Sequence, residues 1–175
     1  MKNLAIKLVI LLVLIIVSLS VKAQYTQEEE EAMYEPLKLS GPRVGMTYIG
    51  GDLGDQMIEY GLNPYISQFG WQFETRYFTT KTGFQGLVET VILLGGFETE
   101  EPVLSGSLLF GFRTRTGFEA GAGPNLSTAS GNAMVFAIGH TAKTEYVNIP
   151  VNFAIVPSSE SVKYTFLVGF NIRRH

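Results

Sequence analysis

After residue 40 the chain alternates apolar and polar positions with a period of two. The segment FGWQFETRYF, residues 69–78, shows this most clearly. Its apolar positions are Phe69, Trp71, Phe73 and Tyr77, and the positions between them hold Gly70, Gln72, Glu74 and Arg76. Successive side chains of a β-strand point to opposite faces, so this pattern predicts a strand with one aromatic and one polar face.

The same alternation predicts eight strands separated by short runs of Gly, Pro, Asn, Ser and Thr. They span residues 41–50, 66–79, 83–96, 103–114, 117–126, 133–141, 145–156 and 162–173. Several are 10 to 14 residues long, above the roughly five or six residues of a usual strand and near the roughly 9 to 11 that cross a bilayer obliquely. Tight polar connections predict hairpin turns. The longest connection, residues 51–65, is expected to form one or two helical turns.

The apolar faces of these strands are continuous and carry large side chains, whereas the opposite faces are rich in glycine and small polar groups. Eight apolar faces turned inward would overpack a barrel whose interior is only just wide enough for its side chains. The few charges on the polar faces have both signs in near balance and can neutralise one another in a narrow lumen. A membrane barrel, with its apolar face on lipid, accounts for both faces.

The predicted fold is therefore all-β: a closed antiparallel up-and-down transmembrane barrel of eight strands. A spanning sheet must close, because lipid offers no partner for unpaired backbone groups. The side chains predicted to contact lipid or the membrane interface are Phe69, Trp71, Phe73, Tyr77, Phe110, Phe112, Phe153, Tyr164, Phe166 and Phe170. Those predicted to form a network in the lumen are Gln72, Glu74, Arg76, Glu89, Arg113, Glu119, Asn148, Asn152 and Asn171. An even strand number places both chain ends on the periplasmic side and the longer loops outside.

The N-terminus has the pattern of a secretory signal peptide. A basic start precedes an apolar run from Leu8 to Val17, and a small-residue end closes at Ala23. Residues 1–23 are therefore expected to be a cleaved signal helix, 24–40 an acidic flexible arm, and 41–175 the barrel. A retained membrane anchor is the alternative to cleavage.

Charge and composition narrow the chemistry. Cleavage would remove three of the 13 basic residues and none of the 16 acidic ones, which changes the formal charge from −3 to −6. That balance argues against binding to nucleic acid. The chain has no cysteine, which excludes disulfides, lipoprotein processing and thiolate metal sites. His140 and His175 are the only histidines, and their spacing predicts no catalytic triad, metal cluster or cofactor site. Asp52, Asp55 and Glu59 allow a divalent-cation site or, alternatively, a solvated acidic loop.

Three stretches resemble the small outer-membrane β-barrel proteins of Gram-negative bacteria, particularly the compact barrels common in Bacteroidota. They are GFEAGAGPNLS (117–127), VNIPVNFAIVP (147–157) and TFLVGFNI (165–172). The resemblance covers most of residues 41–175. It implies an outer-membrane location, contact with membrane lipid and insertion by the barrel assembly machinery. These motifs are typical of barrel strands and imply no enzymatic reaction.

The predicted function is that of a non-enzymatic outer-membrane barrel with a filled, salt-bridged lumen. Such a barrel would support the cell envelope or hold another envelope protein through loop 51–65 or the acidic arm. The alternative is a barrel that binds or transports a small solute or an apolar ligand. A lipid-modifying enzyme is a weaker third, since His140 has no evident catalytic partner. A soluble periplasmic ligand-binding calyx is the alternative to all of these and would turn the aromatic faces inward.

Overall fold

The computed structural model describes residues 37–97, 102–129, 131–143, 147–159 and 161–173. The predicted signal helix and most of the acidic arm lie outside these residues. The elements are β1 (Leu37–Gly50), α1 (Asp52–Glu59), β2 (Tyr65–Thr79), β3 (Gln85–Gly95), β4 (Val103–Arg113), β5 (Phe118–Ser127), β6 (Gly131–Lys143), β7 (Asn148–Pro157), β8 (Val162–Gly169) and β9 (Ile172–Arg173). In the described part of the chain, no helix is long and apolar enough to cross a membrane.

The sheet closes on itself. Each strand from β1 to β7 pairs antiparallel with the next one along the chain. β8 then pairs back onto β1 from Arg43↔Gly169 to Gly50↔Val162, and β9 continues this pairing after a break. The two pieces form one wall, so the fold is the predicted eight-stranded antiparallel up-and-down barrel. Closure pairs the first strand with the last and leaves no open edge, as a sheet that spans lipid requires.

Most predicted strand boundaries lie within three residues of the observed ones, and two larger differences concern the first and last strands. Residues 37–40, predicted to belong to the flexible arm, are instead the beginning of β1. They are held because Leu39 and Ser40 are buried and pair with both β2 and β9. The last strand, predicted to run unbroken to residue 173, is interrupted at residues 170–171. There the backbone of Asn171 pairs with Asn148 of β7.

Two tight turns at the end of the barrel opposite α1 share one sequence and one geometry. Residues 80–84 and 114–118 both read Thr-(Lys/Arg)-Thr-Gly-Phe. In each turn the first threonine amide donates to the phenylalanine carbonyl oxygen, at 2.7 Å and 2.8 Å respectively. Gly83 and Gly117 have φ values of 83° and 95°, a region that glycine adopts without steric cost. The repeated pentapeptide is therefore a repeated turn.

The outer surface of the barrel is apolar. Large apolar side chains are exposed at alternate strand positions, as Phe69, Trp71 and Phe73 are on β2. Aromatic rings meet near both ends of the barrel, through Tyr77, Phe78, Phe84, Phe112 and Phe118 at the tight-turn end and Tyr48, Tyr65, Tyr164 and Phe153 at the loop end. An apolar band with aromatic residues at both rims is typical of transmembrane barrels. The outward aromatic faces contradict the soluble calyx.

Candidate functional site in the barrel lumen

The lumen has two halves of different chemistry. The half near the tight turns holds a connected set of polar side chains, here called the plug: Arg43, Gln72, Glu74, Glu89, Arg113, Glu119, Thr141 and Asn171. The half near α1 holds an apolar cluster and a cavity, here called the loop-end cavity. Both halves are built by inward-facing side chains of the same strands.

Arg113 is the centre of the plug. Its Nη1 and Nη2 donate to the two carboxylate oxygens of Glu74 at 2.6 Å and 2.7 Å, and Nη2 also donates to Glu119 at 2.9 Å. The hydroxyl of Thr141 donates to the other oxygen of Glu119. Arg113, Glu74 and Glu119 are 1%, 1% and 4% exposed. Bidentate arginine–carboxylate pairs are the strong form of charge-assisted hydrogen bond, and here two carboxylates share one guanidinium.

Strand register shows why an arginine is needed at this point. Glu74 of β2 lies directly opposite Glu89 of β3, and like charges in that position repel. Arg113 of β4 lies opposite Glu119 on β5 and reaches past β3 to Glu74 of β2. The arginine therefore binds one member, Glu74, of a carboxylate pair that the sheet itself brings together.

A second guanidinium connects the rest of the plug. Arg43 is fully buried. Its Nε donates to Gln72 at 2.9 Å and its Nη2 to Asn171 at 2.7 Å. Gln72 in turn donates to Glu89 at 2.8 Å, and Asn171 donates to Glu74 at 3.4 Å. Side chains from β1 to β6 and from the β8–β9 junction thus meet across the lumen in one hydrogen-bonded layer.

The plug accounts for most, but not all, of the predicted lumen residues. The structure brings together Gln72, Glu74, Glu89, Arg113, Glu119 and Asn171. Arg76 lies at the margin, with its Nη2 4.0 Å from Glu74. Asn148 meets Asn171 through two backbone hydrogen bonds of 3.2 Å and 2.8 Å, and Asn152 lines the cavity instead.

Sequence reasoning missed Arg43 and Thr141. Arg43 had a visible signal, because it alternates with Gly41 and Gly45 while Val44 and Met46 occupy the positions between. Thr141 had none beyond its place in the alternation of β6.

The residues predicted to face lipid lie on the outer surface. Nine of them have 38–55% of their surface exposed: Phe69, Trp71, Phe73, Tyr77, Phe110, Phe153, Tyr164, Phe166 and Phe170. The tenth, Phe112, is half-buried between Phe84 and Phe118, with ring centroids 5.2 Å and 6.4 Å away. His140 is also exposed. No group of three His, Asp or Glu side chains within the described ranges is placed to hold a metal ion.

The loop-end cavity has a volume of about 110 Å³. Its walls are the buried apolar cluster Val91, Leu93, Leu109, Val135, Val156 and Leu167, with Ala137 and Ala154 packed against it. Gln72, Glu89 and Asn152 line the side that faces the plug, and Leu53 of α1 lies at the mouth. Polar side chains, among them Thr47, Gln68 and Ser107, also line the walls, so the cavity is a mainly apolar chamber with polar groups on its walls and a polar floor.

Helix α1 is fixed to the rim of the barrel. Its buried Gly54 packs against the carbonyl oxygen of Ile49, and the Ile49 amide donates to Pro64 at 2.9 Å. The far side of this connection exposes apolar groups, with Ile58 55%, Tyr60 79% and Leu62 58% exposed. Asp52, Asp55 and Glu59 of the helix are exposed beside them. The connection therefore offers a mixed apolar and acidic surface.

Comparison with known proteins supports the fold. The chain is similar to the crystal structure of Ail, the attachment invasion locus protein of Yersinia pestis, with 12% sequence identity and a TM-score of 0.54. The match covers 79% of this chain and 97% of that one. Ail in complex with the heparin analogue sucrose octasulfate matches at 11% identity and a TM-score of 0.34, over 78% of this chain and 99% of that one. No protein-family model and no curated protein sequence matches the chain. The fold is thus that of a small outer-membrane β-barrel.

Proposed function

We propose that this protein is a non-enzymatic barrel of the bacterial outer membrane that does not conduct solutes and that holds a partner through its loops or supports the envelope. The plug carries the proposal. Its side chains come from strands all around the barrel and are tied by hydrogen bonds of 2.6 to 3.4 Å. The interior of an eight-stranded barrel is only just wide enough for such a filling.

Conductance across a planar lipid bilayer tests the plug. The wild-type barrel is expected to give no discrete conductance steps above an empty bilayer. Arg113→Ala is the comparison variant, because it shortens the side chain at the centre of the plug. It is refolded and checked for its heat-dependent mobility on a gel. Reproducible steps from the wild-type protein would contradict the proposal and favour transport of a small solute.

The connection that carries α1 is the surface best suited to a partner. Exposed Ile58, Tyr60 and Leu62 stand in a segment that is also acidic, and clustered exposed apolar groups mark interaction sites. The name of the structural neighbour refers to attachment, but at 12% sequence identity the similarity is one of fold alone. Partner binding here rests on the residues of the connection itself.

Photocrosslinking in intact cells tests the partner surface. A photoreactive amino acid at Tyr60 is expected to form a defined protein adduct, whereas the same amino acid at Lys81, in the tight turn at the other end, is expected to form a different adduct or none. The same adduct from both positions would contradict binding through the loop. An absence of adducts, together with an envelope weakened by deletion of the protein, would favour the supporting role.

The location and processing of the chain are part of this proposal. An outer-membrane fraction should contain a protein whose gel mobility changes on boiling, with an N-terminus at Gln24. The resemblance to Bacteroidota barrels is based on residues 117–127, 147–157 and 165–172. The proposed insertion by the barrel assembly machinery is based on the same resemblance. A retained residue 1 in the mature protein would contradict cleavage.

A further inference from the structure

The loop-end cavity is a chamber of a size that small molecules occupy. Its volume of about 110 Å³ is on the scale of the roughly 150 Å³ apolar cavity known to bind benzene in another protein. The space exists because small side chains, Ala137 and Ala154, face inward among larger ones. The plug closes the bottom, so a ligand would enter and leave by the mouth at Leu53.

Glu89 gives the floor of the cavity a specific chemistry. The three plug carboxylates are not equally saturated. Glu74 accepts three hydrogen bonds, from Arg113 and Asn171, and Glu119 accepts two, from Arg113 and Thr141. Among the described residues Glu89 accepts one, from Gln72 at 2.8 Å, and it is the only one of the three that lines the cavity. A carboxylate has capacity for several more donors.

The charges around Glu89 determine which net charge a ligand can carry. Three arginines, Arg43, Arg76 and Arg113, match the three glutamates of the plug. An ammonium group at Glu89 would add an unmatched positive charge, and a carboxylate would meet Glu89 as a like charge. Burying an unmatched charge is costly. Lys163 also lines the cavity, from the loop end of β8, so its positive charge lies away from the floor. The floor therefore suits a neutral hydrogen-bond donor.

We infer that the loop-end cavity binds one small neutral molecule, with an apolar body of about the size of a benzene ring and a hydroxyl group that donates to Glu89. The aliphatic part of the walls contacts the body, and the hydroxyl adds a second hydrogen bond to the carboxylate. This inference stands apart from the proposed function, because a conducting lumen would contradict the plug, whereas a cavity that binds nothing would leave a non-conducting barrel intact.

Fluorine NMR with 4-fluorophenol tests the site. The full-length mature barrel is placed in lipid nanodiscs, and empty nanodiscs report partition into lipid. We expect a saturable signal from 4-fluorophenol bound at one site per barrel. Unlabelled phenol should displace the bound 4-fluorophenol. Fluorobenzene, which lacks the hydroxyl, should bind about five- to tenfold more weakly, in line with the loss of one hydrogen bond. 4-Fluorobenzoate and 4-fluorobenzylamine should show partition alone.

Paired alanine variants locate the site. Ala137→Leu and Ala154→Leu fill the cavity and should weaken binding at least about tenfold. Ala122→Leu is the matched control, because it makes the same change on the outer face of β5. Each variant is first checked for a heat-dependent gel shift. If neither filling variant folds, the relative affinities of the four probes for the wild-type barrel decide whether the inference holds. Equal signals in loaded and empty nanodiscs, unchanged binding in a folded filling variant, or charged probes that bind as tightly as the phenol would overturn the inference.

Discussion

Replacing Arg113 with methionine should destabilise the barrel more than any change of comparable size on its rims. Methionine keeps most of the apolar stem but removes three hydrogen bonds, two to Glu74 and one to Glu119. Both carboxylates are then left in a buried layer without their common cation. Because Glu74 lies directly opposite Glu89, two adjacent glutamates also lose the charge that offsets their repulsion.

The magnitude follows from the geometry. Hydrogen bonds to charged groups contribute about 1.5–3 kcal/mol each, so three of them set an upper range of about 4.5–9 kcal/mol. The loss is smaller than this sum, since Glu119 keeps its bond from Thr141 and Glu74 keeps Asn171 at 3.4 Å. Breaking a buried ion pair by removing one partner typically costs about 3–5 kcal/mol. That range corresponds to about two to nearly four powers of ten in the unfolding equilibrium.

Urea unfolding in lipid vesicles, followed by the heat-dependent gel shift, measures this loss. Arg115→Met is the matched control, because Arg115 is exposed in the adjacent turn and its loss should change stability by no more than about 0.5 kcal/mol. Combining Arg113→Met with Glu74→Met should cost less than the sum of the two single changes, since the pair is coupled. If the free energies of unfolding of Arg113→Met and Arg115→Met differ by less than about 1 kcal/mol, the central role of the Arg113 guanidinium is refuted.

Three further changes test other parts of the structure. Ile92→Arg, at a half-exposed position opposite Trp71 on the outer face, should cost about 2–4 kcal/mol if that face lies in the bilayer core, and a neutral effect in the same unfolding assay would contradict lipid contact. Gly45→Ala should destabilise by about 1–3 kcal/mol, because its Cβ would collide with the Phe166 carbonyl. Gly106→Ala meets no atom within 4 Å and should be neutral or stabilise by up to about 1 kcal/mol, so the opposite order of the two glycine variants would contradict the stated packing.

The strands could be predicted because a period of two, sustained over 10 or more residues, is characteristic of a β-strand with two different faces. The inside-out assignment followed from side-chain volume, since the aromatic faces are too bulky for so narrow a lumen. The helical turns of the 51–65 connection were also predicted, and α1 occupies residues 52–59. These features depend on local pattern and on total volume, both of which the sequence contains.

What could not be predicted depends on register. Predicting that Glu74 lies opposite Glu89, or that Arg113 reaches past β3 to Glu74, requires knowing which residues of neighbouring strands face each other. Arg43 was overlooked because its strand carries no other inward charge. The loop-end cavity depends on three-dimensional space between side chains, which no single strand reveals. The repeated Thr-(Lys/Arg)-Thr-Gly-Phe turn, in contrast, is visible in the sequence once the two turns are compared.

The inward face of β3 shows how one strand serves both halves of the lumen. It reads Gln85, Leu87, Glu89, Val91 and Leu93 from the tight-turn end to the loop end. Glu89 is the boundary residue, since it accepts a hydrogen bond from the plug and lines the cavity. Large arginines fill the half below it, whereas aliphatic groups and alanines leave space above it. A ligand at Glu89 would be linked to the plug through Gln72 and Arg43. Because it would bind the folded barrel and not the unfolded chain, it should raise the stability of the whole barrel.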